Sequence, residues 1–231
     1  YGSNAFNSGN NTGSNNVVFG AAALYDNTSG DENVAIGNSS MNNNTTGDFN
    51  TAVGYRSLWL NTTGSNTTAV GHLALRGNTT ASGSVGIGFE ALQTATTEGS
   101  LTAIGYQAAK ANTSGSATVA VGYQALTSNT TGNYNNAFGY TTLDANTTGN
   151  YNVGMGYEAL SSNTTANNNT GIGHVSLKSN TTGTQNTACG AQALEANSTG
   201  GPKVGIGFEA LTANTSGQRT TATGSFALDA N

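Results

Sequence analysis

The sequence predicts an all-β chain: a parallel β-solenoid (β-roll) in which one 17-residue repeat makes one coil, with about 13–14 coils across residues 1–231. Three observations carry that expectation. One glycine recurs every 17 residues, at Gly20, Gly37, Gly54, Gly71, Gly88, Gly105, Gly122, Gly139, Gly156, Gly173, Gly190, Gly207 and Gly224. Four residues after it stands Leu, replaced only by Met41 and Ala109. Seven after it stands Asn, replaced only by Ala95. Self-similarity at a fixed period is the mark of stacked repeats, each of which contacts chiefly its neighbours. Residues 1–231 therefore read as a single repeat array, with Tyr1 to Asn16 as a partial copy carrying one inserted residue. Both ends fall inside a repeat, so the array is expected to be a segment of a longer fibrous protein.

Each element follows from its residues. Seventeen residues are too few for a helix pair, and glycine at two fixed places per unit costs a helix about 1 kcal/mol each. The segment around the marker glycine, such as Asn50-Thr51-Ala52-Val53-Gly54-Tyr55, reads as a strand. Thr51, Val53 and Tyr55 share one face, while Ala52 and Gly54 share the other. The second face is Ala or Gly in nearly every copy, which implies a close approach there, either by the opposite wall of a thin roll or by another chain. A second, shorter strand is expected at the small-then-Leu pair, for example Ala125-Leu126 or Ala159-Leu160. Its Leu fills the interior as a core ladder of Leu24, Leu58, Leu75, Leu92, Leu126, Leu143, Leu160, Leu177, Leu194, Leu211 and Leu228. Burial of each is worth about 1.5–3 kcal/mol. The N-T-T-G segment then turns the chain, Asn by bonding its own backbone and Gly by supplying a positive φ.

Composition excludes several functions. Only 7% of residues are charged and the net charge is −5, from 6 basic and 11 acidic residues. Nucleic acid, which calls for clustered Lys and Arg, is not an expected partner, because Arg56, Arg76, Lys110, Lys178, Lys203 and Arg219 are scattered. No apolar run approaches the length of a membrane span, so insertion is not expected. Cys189 falls in the Val/Ile/Phe column and is expected to be a buried small hydrophobe.

At N-T-A-V-G-Y-Q-A-L the unit resembles two groups. The element Asn33-Val34-Ala35-Ile36-Gly37 is similar to the head repeat of trimeric autotransporter adhesins. The run from Ala120 to Gly132 resembles, more closely, the Asn/Thr-rich repeats of tail-fibre-type proteins of bacteriophages and bacteria. The resemblance implies a β-roll packed as a homotrimer in an extracellular fibre. The unit is longer than that of the adhesins by the N-T-T-G turn.

The most distinctive candidate site is the N-x-[ST] motif, repeated in register at Asn27, Asn44, Asn61, Asn78, Asn112, Asn129, Asn146, Asn163, Asn180, Asn197 and Asn214. One reading is a row of glycan acceptors. The other is a structural turn whose amides form a hydrogen-bonded ladder, with coils about 4.8 Å apart. A ring follows the marker glycine in most copies (Tyr55, His72, Phe89, Tyr106, Tyr123, Tyr140, Tyr157, His174, Phe208), suited to stacking between coils or to sugar faces. The two His of that column, His72 and His174, lie too far apart to share a metal. Paired Thr at the corner raise an ice-binding reading, but adjacent Thr point opposite ways on an extended chain. Glu90, Glu158 and Glu209 share a column without the fixed partner that acid–base catalysis needs.

No enzyme activity, cofactor or metal is therefore expected. The sequence points to a structural or adhesive shaft or head segment of an extracellular fibre, on a phage tail or bacterial surface. Its expected partners are other copies of itself, as a homotrimer, with a cell-surface glycan or protein as receptor. A head-to-tail glycosylated filament is the alternative, and an ice- or carbohydrate-binding flat face comes after it.

Overall fold

The computed structural model describes residues 4–6, 9 and 11–230. The described residues form thirteen strands and no helix. The chain forms two compact units, one ending at Ser116 and the other beginning at Ala117, and within each unit neighbouring strands pair in parallel. The first holds β1 (Val17–Phe19), β2 (Val34–Ile36), β3 (Thr51–Val53), β4 (Thr68–Val70), β5 (Val85–Ile87) and β6 (Thr102–Ile104), paired in sequence order. The second holds β7 (Val119–Val121), β8 (Asn136–Phe138), β9 (Val153–Met155), β10 (Thr170–Ile172), β11 (Asn186–Cys189), β12 (Lys203–Ile206) and β13 (Thr220–Thr223), ordered the same way. Each is a β-solenoid, because the register advances by one whole repeat per strand: Thr51 pairs with Thr68, and Val153 with Thr170.

The strands are short because glycine ends them. Gly54 has a φ of 133°, a value closed to L side chains, and a Cβ there would lie 2.5 Å from the carbonyl oxygen of Gly71. Conformation and the stacked neighbour thus demand glycine independently, which is why the beat never slips.

The small column of the strands faces inward. Ala35, Ala52, Ala69, Ala103, Ala120, Ala137 and Ala188 are fully buried. What approaches them is the opposite wall: a Cβ on Gly86 would meet Leu75 Cγ at 2.9 Å, and one on Gly205 would meet Leu194 Cγ at 3.2 Å. Of the two causes open for this column, the thin roll is the one present.

The Leu ladder is not on a second strand. A strand would send Ala125 and Leu126 to opposite faces, yet both are fully buried. The backbone achieves this with left-handed residues, φ being 48–56° at every Leu of the ladder. Two residues earlier φ is positive as well, including Arg56 at 49° and the β-branched Thr141 at 44°. Each such residue costs roughly 1–2 kcal/mol, so the turn persists because packing and inter-coil bonds hold it. Leu58 N–H donates to Ala74 O and Leu160 N–H to Ser176 O, both at 2.9 Å.

Candidate functional site

The corner Asn residues form an amide ladder within each unit. Asn44 Nδ2 donates to Asn27 Oδ1 at 2.9 Å, Asn61 Nδ2 to Asn44 Oδ1 at 2.7 Å and Asn78 Nδ2 to Asn61 Oδ1 at 2.7 Å. In the second unit the run is Asn129, Asn146, Asn163, Asn180 and Asn197, with steps of 2.8–3.0 Å. The second hydrogen of each amide closes its own corner, as from Asn44 to Gly47 O at 3.0 Å and from Asn112 to Gly115 O at 2.9 Å. Asn27 through Asn197 are fully buried and Asn214 nearly so. From Asn27 through Asn197 the nitrogen to which a sugar would attach is therefore shut in and committed, and the glycan-row reading of these ten residues does not fit the geometry.

Gly in this corner does not have the positive φ expected for it. It is small because of stacking: a Cβ on Gly30 would stand 2.5 Å from Gly47 O and 2.6 Å from Asn27 Oδ1.

A second amide ladder lies just before the strands and was not read from the sequence. Asn33, Asn50, Asn135, Asn152, Asn169 and Asn186 are fully buried. Asn33 Oδ1 accepts from the N–H of Asn50 at 2.9 Å, and its Nδ2 donates to Gly47 O at 2.9 Å. The signal was present in the leading Asn of N-T-A-V-G. Lys203 occupies this position in β12. It is 1% exposed, and its Nζ donates to Asn197 Oδ1, Asn214 Oδ1 and Asn214 O. Burial lowers its pKa to about 8.

Ten Leu of the predicted ladder, Leu24 to Leu211, are at most 1% exposed or fully buried. Leu228, in the last coil described, departs from the expectation at 48% exposed. Cys189 departs too: it is exposed rather than buried. Its column points away from the Leu wall, and the Val/Ile/Phe residues beside it do likewise.

That outward strand face is a row of apolar side chains. In the first unit Ile87 and Ile104 are 36% and 39% exposed; in the second, Phe138, Met155, Ile172 and Ile206 are 36–46% exposed. Beside it run the rings. Tyr55, His72, Phe89 and Tyr106 stack with centroids 5.0–5.2 Å apart, and Tyr123, Tyr140, Tyr157 and His174 with 5.0–5.3 Å. Ring faces within a stack are covered by their neighbours, leaving edges for a ligand. Both histidines serve here as flat rings.

Next to the rings lies a column of ion pairs. Lys110 Nζ is 2.7 Å from Glu90 Oε2, and Lys178 Nζ is 2.7 Å from Glu158 Oε2. Hydrogen bonds from Lys178 and Tyr157 hold the Glu158 carboxyl below its ordinary range. Burial acts to raise Glu90, but Lys110 and Gln107 outweigh it and the net shift is downward. Around Glu158 a shallow groove is lined by Tyr140, Tyr157, Asp144 and Lys178. Burial raises the Asp144 pKa, and its Oδ1 has no hydrogen-bond partner. Corner threonines spend their hydroxyls between coils, as Thr45 Oγ1 does on Thr62 O at 2.9 Å. Among the described residues no three His, Cys, Asp or Glu converge as metal ligands, and no helix is long and apolar enough to cross a membrane.

Compared with protein-family models, curated proteins and solved structures, the chain matches none.

Proposed function

We propose that the chain is a mechanical segment of an extracellular fibre, on a phage tail or bacterial surface, in which three copies pack through the outward faces of their strands. The observation that carries this reading is the apolar row of Ile87 and Ile104 in one unit and Phe138, Met155, Ile172 and Ile206 in the other. Soluble monomers rarely leave contiguous apolar patches of that kind bare, and an in-register row offers the same contact at every coil. The number three rests on the resemblance to trimeric adhesin heads and tail fibres. The role is non-enzymatic: spacing, display and adhesion, with a cell-surface glycan or protein as receptor. A head-to-tail glycosylated filament is the second reading, against which the buried corner amides weigh.

Mass in solution tests the proposal. A discrete mass of three times 23.1 kDa is expected, dispersing to single chains when Ile104→Lys and Ile172→Lys are combined. Single chains at every concentration, or an open-ended size distribution, would overturn it. An intact mass above 23.1 kDa would reopen the glycosylated reading.

A further inference from the structure

In the ion-pair column one place carries two cations. Glu90 meets Lys110 and Glu158 meets Lys178, each pair being separated by one repeat plus three residues. The equivalent positions two coils before the first pair are Arg56 and Arg76. Two cations thus occupy the places that hold an anion and a cation elsewhere. Between them stands Trp59, with the Arg56 guanidinium carbon 4.7 Å and the Arg76 guanidinium carbon 5.1 Å from its ring centroid. Arg56 also lies 5.2 Å from the Tyr55 ring. Neither guanidinium has a carboxylate partner among the described residues, and Arg56 Nε is buried without an acceptor. The nearest carboxylate in the column, Glu90, is already engaged by Lys110 and Gln107.

We propose that Arg56 and Arg76, held by Trp59, bind the isolated carboxylate of a small ligand, such as that of a sugar acid. Guanidinium groups pair with carboxylates through parallel hydrogen bonds, and Glu90 and Glu158 show that the phase held by Arg56 takes a carboxylate in each unit. A long polyanion is disfavoured by the net charge of −5, whereas two arginines suffice for an isolated acid group. The site lies on the turn after the marker glycine, off the apolar strand face. It therefore stands or falls independently of the fibre reading.

Trp59 is the chain's sole tryptophan, so its fluorescence reports this site alone. Titration with sodium glucuronate should give a saturable change. Sodium chloride at equal ionic strength and neutral glucose should give none. Arg56→Glu supplies the carboxylate from within and should weaken binding about 10-fold or more, as should Arg76→Gln. Circular dichroism first establishes which variants fold, and either one suffices. An equal response to chloride or glucose, or tighter binding of sulfate than of glucuronate, would overturn the assignment. So would undiminished binding in a folded variant. A signal that changes on dilution of the protein alone would instead assign the site to a carboxylate of a second copy.

Discussion

Lys203 Nζ donates to Asn197 Oδ1 at 2.6 Å, taking the acceptor that earlier steps of the ladder give to the next Asn amide. One side chain thereby interrupts both amide ladders, since it also replaces the Asn expected at the first position of β12. Its pKa of about 8, lowered by burial from 10.5, means that between those values the unfolded chain binds a proton the folded chain has lost. Stability should therefore rise with pH across that window and be flat below it. Lys203→Asn restores both ladders, and it should add about 1–3 kcal/mol near neutral pH and remove the rise. Urea unfolding at about pH 7.5 and about pH 10 checks this; a wild-type stability unchanged between the two would refute it.

Ala95 interrupts the first ladder in the opposite way, by omission. Asn78 Oδ1 is left buried without a partner, although its Nδ2 still reaches Asn61. Ala95→Asn should return a donor to that oxygen and stabilise the first unit by about 1 kcal/mol. Thermal unfolding compared with wild type decides, and a lower midpoint would show that the coil has no room for the amide.

The marker glycine should tolerate nothing larger. Gly54→Ala meets both a φ of 133° and the Gly71 carbonyl, so a loss of about 2–4 kcal/mol is expected. Hydrogen exchange should place the damage in the coils on either side of β3, since repeats couple to nearest neighbours. Uniform loss of protection throughout the first unit would contradict that.

Asp144 is half-buried with an unpaired oxygen, and burial raises its pKa. The folded chain then holds a proton at pH values where the unfolded chain has released it, so this group's contribution declines as pH rises through that range. Asp144→Asn should abolish the decline and gain up to about 1 kcal/mol at neutral pH. Denaturation from about pH 4 to about pH 7 provides the measurement, with a gain at acid pH alone counting against it.

The parts of the fold legible in the sequence are those that repeat. The marker glycine, the small column and the Leu ladder each occupy one phase of the 17-residue period. Glycine ends each strand, the small column faces inward, and the Leu residues from Leu24 to Leu211 fill the interior, from a turn rather than the expected strand. What was not legible depends on backbone handedness. Alternation along a strand cannot say that Ala125 and Leu126 both turn inward, because that requires the left-handed φ of Leu126. With the interior assigned to Leu and Ala, the Val/Ile/Phe column must face out, and Cys189 goes with it. Arg56 and Arg76 look scattered in the sequence because their proximity needs a coil closed first. Lys203 is hidden for a similar reason: one cation in a column of amides looks like surface until the column is seen to be buried.

Because the hydrogen bonds of each coil reach the same phase of the coil beside it, length changes at least cost in certain increments. Duplicating one whole unit would hand every amide, carbonyl and ring the neighbour its template already had. Adding one or two residues inside a coil would shift the phases that follow and weaken some of these contacts, as at the irregular first copy, where the Asn27–Asn11 step lengthens to 3.3 Å. Growth and shortening by entire units is thus the cheapest genetic variation open to this chain, and related genes should differ in unit number more readily than in unit size.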